Sequence, residues 1–193
     1  MFKKLLLSAM LFTSTTLSVN ATIVEFRTSQ GNFQVNLFDQ TTPKTVENFL
    51  QYIESQHYTN SIVHRVSPGF VVQGGGFSFN GEWPLTPLDT NAAVINEPIY
   101  SNVKGTIAMA KTANNPNSAT NQWFFNLENN ASNLDLQNGG FTAFGQVIGD
   151  GMTVVEKIAG LSLCQSIPMI DYTSQDCTDT TTPGIENFVV VNQ

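Results

Sequence analysis

The sequence predicts a mainly β protein with two α-helices in a single domain, and three observations support this class. Short apolar runs and stretches of alternating apolar and polar residues recur along the 193-residue chain, separated by Gly, Pro and Asn turn signals. Apolar residues recur at helical spacing in two stretches, residues 43–55 and 153–159. We find no internal repeat and no linker. Many short antiparallel strands fit either a closed barrel or a sandwich, and this pattern does not decide between them.

The first two predicted elements are a β-hairpin and a helix. Residues 22–27 and 32–38 alternate polar and apolar side chains on either side of Ser29-Gln30-Gly31, which is typical of two antiparallel strands with one buried face. Thr42 is a plausible N-cap for the helix. Pro43 suits the first helical position, because the N–H that proline lacks would have no partner there.

The rest of the chain predicts short strands, the second helix and a final strand. Residues 78–97 contain several Pro and Asn with little periodicity, which predicts a long irregular loop of the kind that often borders a binding site. A loop flanked by the two cysteines precedes the final strand. The predicted strands are residues 61–66, 69–72, 105–110, 122–127, 144–148 and 187–191.

The N-terminal residues have the features of a secretory signal peptide. Two lysines at positions 3 and 4 form a basic start, residues 5–17 are mostly apolar, and Val19-Asn20-Ala21 is a small-residue cleavage signal. We expect cleavage after Ala21, which leaves residues 22–193 as one mature domain; the alternative is an uncleaved N-terminal anchor. The short basic start and tight cleavage signal fit a bacterial periplasmic protein, and a eukaryotic secretory route is the alternative.

The chain is acidic, with 15 acidic residues against 8 basic ones and a net charge of −7. It has no basic cluster, so we expect the mature protein to bind neither nucleic acid nor an anionic membrane surface. We expect a monomer that needs no cofactor. A metal site is not expected either, because the two cysteines and two distant histidines lack the spacing of zinc ligands.

The two cysteines are Cys164 and Cys177. Export would place them in an oxidising compartment, where a pair is more often bridged than free. A disulfide between them would stabilise the fold by about 3 kcal/mol in the chain-entropy model. Two unpaired thiols are the alternative.

The segment between residues 61 and 77 carries the side chains best suited to a binding site. Two short strands flank Ser67-Pro68-Gly69, and alternation within the first predicts that Val63 and Arg65 share one side, with His64 on the other. An arginine in such an apolar segment is costly to bury unless it pairs or faces a wet cleft. We expect His64 to be a structural histidine.

Arg65, Phe70 and Gln73 form the predicted centre of this site. Arg65 supplies a cation, Phe70 a flat apolar wall, and Gln73 an amide that both donates and accepts hydrogen bonds. The chain has no Gly-x-Ser-x-Gly elbow and no histidine paired with a nucleophile. Gly74-Gly75-Gly76 is not a phosphate loop, because the Lys-Ser/Thr that follows such a loop is missing. These features predict a site that grips an uncharged peptide rather than one that cleaves it.

Four sequence blocks follow one another along the chain: residues 64–75 (HRVSPGFVVQGG), 105–110 (GTIAMA), 118–125 (SATNQWFF) and 141–147 (FTAFGQV). Together they resemble the cyclophilins, the peptidyl-prolyl cis-trans isomerases, and the first block is highly specific. The resemblance covers nearly all of the chain after residue 22. It implies a closed eight-stranded antiparallel barrel with an α-helix capping each end, a packed interior and a binding cleft outside one wall.

The resemblance implies rotation about X-Pro bonds in proline-containing peptides and in unfolded or partly folded proteins. A twisted X-Pro bond returns the lone pair to the prolyl nitrogen, so a donor fixed on that nitrogen stabilises the twisted state. We expect Arg65 to be that donor, Gln73 to hold a substrate backbone group, and Phe70 to line a slot for the proline ring. The implied substrate-binding residues are Val71, Ala110, Lys111, Gln122, Phe124, Leu134 and Phe141.

Three positions depart from the family pattern. Val71 stands where methionine is common, and Phe141 where familiar members have His or Tyr. Asn133 falls where an aromatic residue, often Trp, helps the family to bind the inhibitor cyclosporin. We therefore expect weak cyclosporin binding with isomerase activity kept.

Two functions fit these residues. The first is an exported isomerase that assists the folding of exported proteins, and the second is a proline-peptide binding or chaperone module whose catalysis is incidental. The intact set of Arg65, Gln73 and Phe124 favours the isomerase.

Overall fold

The structure, a computed structural model, describes residues 21–178 and 182–192. Residues 1–20 lie outside this part of the chain, so the signal peptide and its cleavage after Ala21 stay predictions. Most of the described regular structure is β, as predicted. The strands are β1 (Ile23–Thr28), β2 (Gly31–Leu37), β3 (Ser61–Ile62), β4 (Arg65–Ser67), β5 (Val71–Gly74), β6 (Phe77–Ser78), β7 (Thr86–Pro87), β8 (Thr106–Met109), β9 (Trp123–Asn126), β10 (Ala143–Ile148), β11 (Ser162–Cys164), β12 (Ile167–Met169) and β13 (Val190–Asn192).

The helices of the described residues are more numerous than predicted. They are α1 (Pro43–Glu54), α2 (Ala131–Leu134), α3 (Gly151–Ala159) and α4 (Ser174–Thr178), with 3-10 turns at Gln137–Gly139 and Ile185–Asn187. α1 and α3 correspond to the two predicted helices. α2 and α4 were missed because a helix of about one turn is too short to repeat an apolar pattern. In this part of the chain no helix has the length and apolar character needed to cross a bilayer.

Eleven of the described strands form one antiparallel sheet, in the order β4-β5-β9-β8-β10-β2-β1-β13-β3-β6-β7. β3 and β4 stand eight places apart in this order, yet Val63 and His64 alone separate them in the chain. The sheet therefore has to curl round on itself to bring the two strands together. This strand order establishes a mainly β fold with a curled antiparallel sheet. The closed eight-stranded barrel stays a prediction.

The two faces of the curled sheet carry different apolar clusters. Side chains along a strand alternate between faces, so Ile107 of β8 lies in the main core while its neighbour Ala108 belongs to a separate cluster on the other face. In the core, Phe26 meets Trp123 edge to face with ring centroids 5.1 Å apart. Side chains of both α1 and α3 pack against the same core.

The strand that carries Arg65 is broken, and this corrects one prediction. Val63 and Val66 both lie in the main core, although simple alternation places them on opposite sides. The reason is that β3 ends at Ile62 and β4 begins at Arg65, so alternation restarts after the break. Val63 and Arg65 therefore do not share a side as predicted.

α1 begins with a cap that the sequence did not predict. The Thr42 side chain makes no capping bond, because its hydroxyl donates to the Phe38 carbonyl at 3.2 Å. Instead, the Glu97 carboxylate accepts the Thr45 N–H at 2.9 Å and the Thr45 hydroxyl at 2.8 Å. A carboxylate is favoured at a helix N-terminus by the helix dipole. This contact ties the end of the predicted long loop to the start of α1.

The segment predicted as a loop flanked by cysteines is more ordered than expected. It contains the β11–β12 hairpin, and α4 carries Cys177, which is bonded to Cys164 with a Cα–Cα distance of 5.6 Å. The predicted disulfide is thus present. The hairpin also meets β4, where the Val66 N–H donates to the Ser166 carbonyl at 2.6 Å.

Candidate active site

Three of the predicted site residues begin a row that crosses five neighbouring strands. Arg65 of β4 stands opposite Gln73 of β5, which stands opposite Phe124 of β9. The row continues through Ala108 of β8 to Ala143 of β10. Paired residues of adjacent strands share a face, so all five side chains project from the outer face of the sheet. Arg65 and Phe124 are therefore on the same side of the sheet, not separated by it.

A polar relay occupies one end of this row. Arg65 Nη1 donates to Gln73 Oε1 at 3.3 Å, and Gln73 Nε2 donates to Gln122 Oε1 at 2.9 Å. All three side chains are half-buried. The ion pairs among the described residues are Arg27–Glu25 and Lys104–Glu156, so no carboxylate there neutralises Arg65. The side-chain partner of its guanidinium is therefore a neutral amide and not a carboxylate.

The predicted slot corresponds in the structure to an apolar cluster that lies next to the relay, and this cluster is called the slot below. Its buried members are Val71, Phe124 and Leu134, with the small side chains of Ala108 and Ala143 among them. The slot is completed by half-buried residues, which are Phe70, Ala110 and Phe141. The structure thus brings together the six apolar residues predicted for substrate binding and the catalytic centre.

Sequence reasoning missed Ala108 and Ala143 in this slot. Alanine carries no chemistry that marks it as functional, and its place in the slot depends on the register of three strands. A weak signal existed in β8, where small residues (Thr106, Ala108) alternate with large ones (Ile107, Met109). Small outward residues leave room for a ring to enter between larger walls.

Glycines shape the backbone around the relay. The turn before β5 is held by a hydrogen bond from the Phe70 N–H to the Ser67 carbonyl at 2.9 Å. Gly69 within this turn has φ 69°, a value that favours glycine. Gly75 has φ 80°, and a Cβ there would lie 2.7 Å from Trp123 Nε1. Gly69 therefore suits a positive φ alone, whereas Cβ atoms at Gly74, Gly75 and Gly76 would each lie within 2.7 Å of a neighbour, which explains the glycine run without a phosphate.

The Lys111 head group is held by protein carbonyls. Its Nζ donates to Asn138 O at 2.9 Å and to Gly140 O at 2.5 Å, and it lies 4.6 Å from the Phe141 ring centroid. Burial lowers the pKa of this ammonium below its usual value. Phe141 in turn meets Phe124 edge to face at 5.9 Å. Lys111 therefore supports one wall of the slot, and its predicted contact with a bound peptide stays a prediction.

Two hollows of the described surface lie elsewhere. One of about 380 Å³ lies beside the disulfide and is lined by Trp83, Ile167 and Tyr172 among others, without an arginine. Another of about 270 Å³ contains Arg27, whose charge is already paired with Glu25 at 2.7 Å. Neither joins an unpaired guanidinium to an apolar wall and an amide. Among the described residues, no group of three or more His, Cys, Asp or Glu is placed to hold a metal ion.

His64 lies on the far side of the relay as a half-buried, uncharged histidine. Its ring meets Phe77 edge to face at 4.8 Å. Burial, which is the largest cause, and the neighbouring Arg65 charge together lower the pKa of His64 from 6.5 to about 4, although bonds to Ile62 and Gln122 act in the opposite direction. The histidine is therefore neutral near pH 7.

We expect His64 to make the fold sensitive to mild acid. Its folded pKa of about 4 lies below the ordinary value of 6.5, so its contribution to stability is complete above pH 6.5 and is lost as the pH falls towards 4. By linkage, the free energy of unfolding should fall by about 3 kcal/mol between pH 7 and pH 4 because of this histidine. Urea unfolding between pH 7 and pH 4 should show this extra loss for wild type relative to His64→Gln. Parallel pH curves for the two proteins would contradict it.

The structure thus combines a curled antiparallel sheet with an arginine–amide pair beside an apolar cluster on its outer face. Residues 23–177 match the family model described as cyclophilin type peptidyl-prolyl cis-trans isomerase/CLD. The chain therefore belongs to the cyclophilin-type peptidyl-prolyl cis-trans isomerases, and it is an isomerase enzyme.

Individual relatives agree with this family. A peptidyl-prolyl cis-trans isomerase of Acinetobacter baylyi is 41% identical over 143 residues, covering 72% of this chain and 73% of the relative. Peptidyl-prolyl cis-trans isomerase B of Escherichia coli is 40% identical over 150 residues, covering 75% and 88%. A cyclophilin type isomerase of Cryptosporidium parvum, crystallised in the presence of the dipeptide Ala-Pro, has a TM-score of 0.59 at 23% identity and covers 87% of this chain and 94% of its own. This last likeness shows a shared fold.

Proposed function

We propose that this isomerase rotates X-Pro bonds of polypeptides bound along the slot, with Arg65 as the catalytic donor. Resonance holds a peptide bond planar with a barrier of about 18–20 kcal/mol. In the twisted state the prolyl nitrogen becomes pyramidal and can accept a hydrogen bond. A guanidinium N–H aimed at that nitrogen binds the twisted state better than the planar one, which lowers the barrier.

Gln73 is proposed to orient Arg65 and the substrate together. Its Oε1 accepts one guanidinium N–H at 3.3 Å, which leaves the other donors of Arg65 for the substrate. Its Nε2 is held by Gln122 at 2.9 Å, so the amide cannot turn freely. A donor fixed before the substrate arrives needs no reorganisation during rotation.

The apolar slot is proposed to take the proline ring. Phe124 and Leu134 are each 4% exposed, and Phe70 and Phe141 border them. A pyrrolidine ring is compact and apolar, so it gains by burial against such walls. Ala110 lies at the edge of the slot, where its backbone is proposed to meet the bound chain. Crystallisation of a fold relative in the presence of Ala-Pro agrees with this proposal.

The observation that carries the proposal is the side-chain hydrogen bond between Arg65 and Gln73. Gln73 also stands directly opposite Phe124 on the next strand, so the three side chains lie together on the outer face of the sheet. The test is the cis-to-trans rate of an X-Pro tetrapeptide with and without the protein, and with Arg65 variants. A proline-peptide binding module would bind the tetrapeptide and leave its rate at the uncatalysed value.

We propose that the protein is exported and assists the folding of exported proteins in the periplasm. The support is the N-terminal sequence, with two lysines, an apolar stretch and Val19-Asn20-Ala21. The Cys164–Cys177 bond fits an oxidising compartment. N-terminal sequencing of protein recovered from the periplasm of an expressing bacterium should begin at Thr22. Recovery in the cytoplasm with residues 1–21 intact would contradict export.

We propose weak cyclosporin binding. Asn133 is exposed on α2, and its side-chain Oδ1 accepts a bond from Gln137 Nε2, so it offers no apolar surface. Phe141 offers no polar contact from its ring. A cyclosporin titration should give a dissociation constant in the micromolar range or weaker while tetrapeptide isomerisation persists. Nanomolar affinity would contradict this prediction, and Asn133→Trp should tighten binding.

We also propose that the sheet closes into an eight-stranded barrel. The residues between β3 and β4 continue the pairing on both sides, since the Val63 N–H donates to Val189 O at 2.9 Å and the His64 N–H to Gln73 O at 3.1 Å. With β3–β4 counted as one strand and β5–β6 as another, the ring comprises these two with β1, β2, β8, β9, β10 and β13. An experimental structure with a gap in this ring would contradict closure.

A further inference from the structure

A chain of buried asparagine side chains lies behind the slot. Asn102 and Asn126 are 0% exposed and Asn130 is 8% exposed. Three carboxamides buried at one place are costly unless each finds partners, since an unpaired buried amide loses its bonds to water. Their partners are one another and the backbone of the slot walls.

One end of the chain holds the Phe70 wall. Asn130 Nδ2 donates to the Phe70 carbonyl at 2.9 Å and to Asn126 Oδ1 at 2.8 Å. Asn126 Nδ2 then donates to Asn102 Oδ1 at 3.2 Å and to Thr106 Oγ1 at 2.9 Å. Donation therefore runs from Asn130 through Asn126 to Asn102, and Asn130 also donates to the Phe70 carbonyl.

The other end holds the Phe141 wall. Asn102 Nδ2 donates to the Phe141 carbonyl at 2.9 Å and to Asp135 Oδ1 at 2.8 Å. The Asn102 backbone N–H also donates to Asp135 Oδ1 at 2.9 Å. Burial raises the pKa of this carboxyl, but the bonds from Asn102 and Ser101 outweigh burial, so the pKa lies below its usual value. Asp135 is ionised near pH 7 and anchors this end.

The third wall, Leu134, is attached through backbone bonds to the same residues. The Leu134 N–H donates to Asn130 O at 2.8 Å, and the Phe141 N–H donates to Leu134 O at 2.8 Å. The Asn130 N–H donates to Asn102 O at 2.9 Å. Three slot walls from three separate segments are thus joined behind the slot by one connected set of bonds.

We propose that Asn102, Asn126 and Asn130 are positioning residues that fix the spacing of the Phe70, Leu134 and Phe141 walls, and so set the affinity for the proline ring. This inference rests on the proposed function. Among the described residues no hydrogen bond joins any of the three to Arg65 or Gln73, so the network acts on the slot and not on the catalytic donor. The slot holds the ring in both planar and twisted states. Loosening it should weaken binding of both states equally.

The test measures affinity and turnover separately in Asn130→Ala. We expect KM for an X-Pro tetrapeptide, and its dissociation constant by NMR titration, to rise about five-fold, the effect of losing about one net hydrogen bond. We expect kcat to stay within about two-fold. Methyl resonances of Val71 and Leu134 should shift, while those of core residues such as Val35 should not.

The matched control is Asn187→Ala. Asn187 also bonds the backbone through its amide, to Ile170 O at 3.0 Å and from the Gly184 N–H at 2.9 Å, and none of these residues lines the slot. It should lose stability without a change in KM. Asn102→Ala, which frees the Phe141 end, should raise KM like Asn130→Ala, and the double variant should show less than the summed effect because both break one chain.

Unchanged dissociation constants in folded Asn130→Ala and Asn102→Ala would overturn the inference, and so would a loss confined to kcat. Should Asn130→Ala not fold, Asn130→Asp keeps the size while removing both donated bonds, and the same rise in KM is expected. Failure of the proposed function is distinguishable, because it would appear as an unchanged kcat in Arg65→Ala whatever the affinities of the asparagine variants.

Discussion

Replacing Arg65 by alanine should lower kcat for X-Pro isomerisation by about 10²–10³-fold, the size expected for losing a preorganised donor. The guanidinium carries no carboxylate partner among the described residues and lies beside the slot through its 3.3 Å bond to Gln73. In the proposed mechanism, its bond to the prolyl nitrogen forms in the twisted state alone. The loss should therefore fall on kcat and leave KM within a few-fold.

Two further variants sharpen this prediction. Arg65→Lys keeps the charge but loses the planar fork, and we expect it to recover little of the activity. Arg27→Ala is the matched control, since Arg27 lies on β1 with its Nε paired to Glu25 at 2.7 Å and should leave kcat unchanged. A loss shared equally by Arg27→Ala and Arg65→Ala would point to a general charge effect instead of a positioned donor.

The second large effect is expected from the adjacent phenylalanines of β9, which face opposite sides of the sheet. Phe124 lies in the slot cluster and Phe125 in the main core. Phe124→Ala removes a slot wall, and we expect kcat/KM to fall about 10–100-fold, equivalent to the burial of one apolar side chain. Phe125→Ala should lower the free energy of unfolding by about 3–5 kcal/mol. Urea unfolding and the tetrapeptide assay, run on both variants, measure the two effects.

Each phenylalanine variant serves as the other's control. Phe125→Ala should keep near wild-type kcat/KM per folded molecule, because its ring meets Phe26 and Phe33 inside the core, with centroids 5.2 Å from each. Equal losses of activity in the two folded variants would mean that the slot is not the binding surface.

Much of the candidate site could be predicted from the sequence because its residues fall in short blocks. Arg65 and Gln73 belong to one strand-turn-strand block, so their pairing across the hairpin follows from local geometry. Ala108 and Ala143 could not be predicted, since they enter the slot through the register of separate strands. Register between distant strands is a tertiary property that a residue pattern on one strand does not contain.

The break between β3 and β4 marks another limit of sequence reasoning. Alternation applies within a continuous strand, and no residue type at Val63 or His64 signals that the strand stops there. β3 pairs with β13 and β4 pairs with β5, and these separate pairings decide which face each side chain takes on either side of the break. The small strands β11 and β12 were missed for a related reason, since three residues are too few for a pattern.

The asparagine network shows what long-range structure adds. Asn102 lies in an irregular segment, Asn126 ends β9, and Asn130 precedes α2. Each one alone fits an ordinary turn or cap. Burial of the three together is decided by the fold, and so is their connection to Phe70 and Phe141.

One measurement tests most directly whether Arg65 favours the twisted bond over the planar one. NMR exchange spectroscopy on a single X-Pro tetrapeptide, with wild type and Arg65→Ala, gives both the dissociation constant and the cis-trans exchange rate. We predict that Arg65→Ala binds the peptide within a few-fold of wild type while the exchange rate falls close to the uncatalysed value. Exchange as fast as wild type, or a loss of rate fully explained by a loss of binding, would contradict this mechanism.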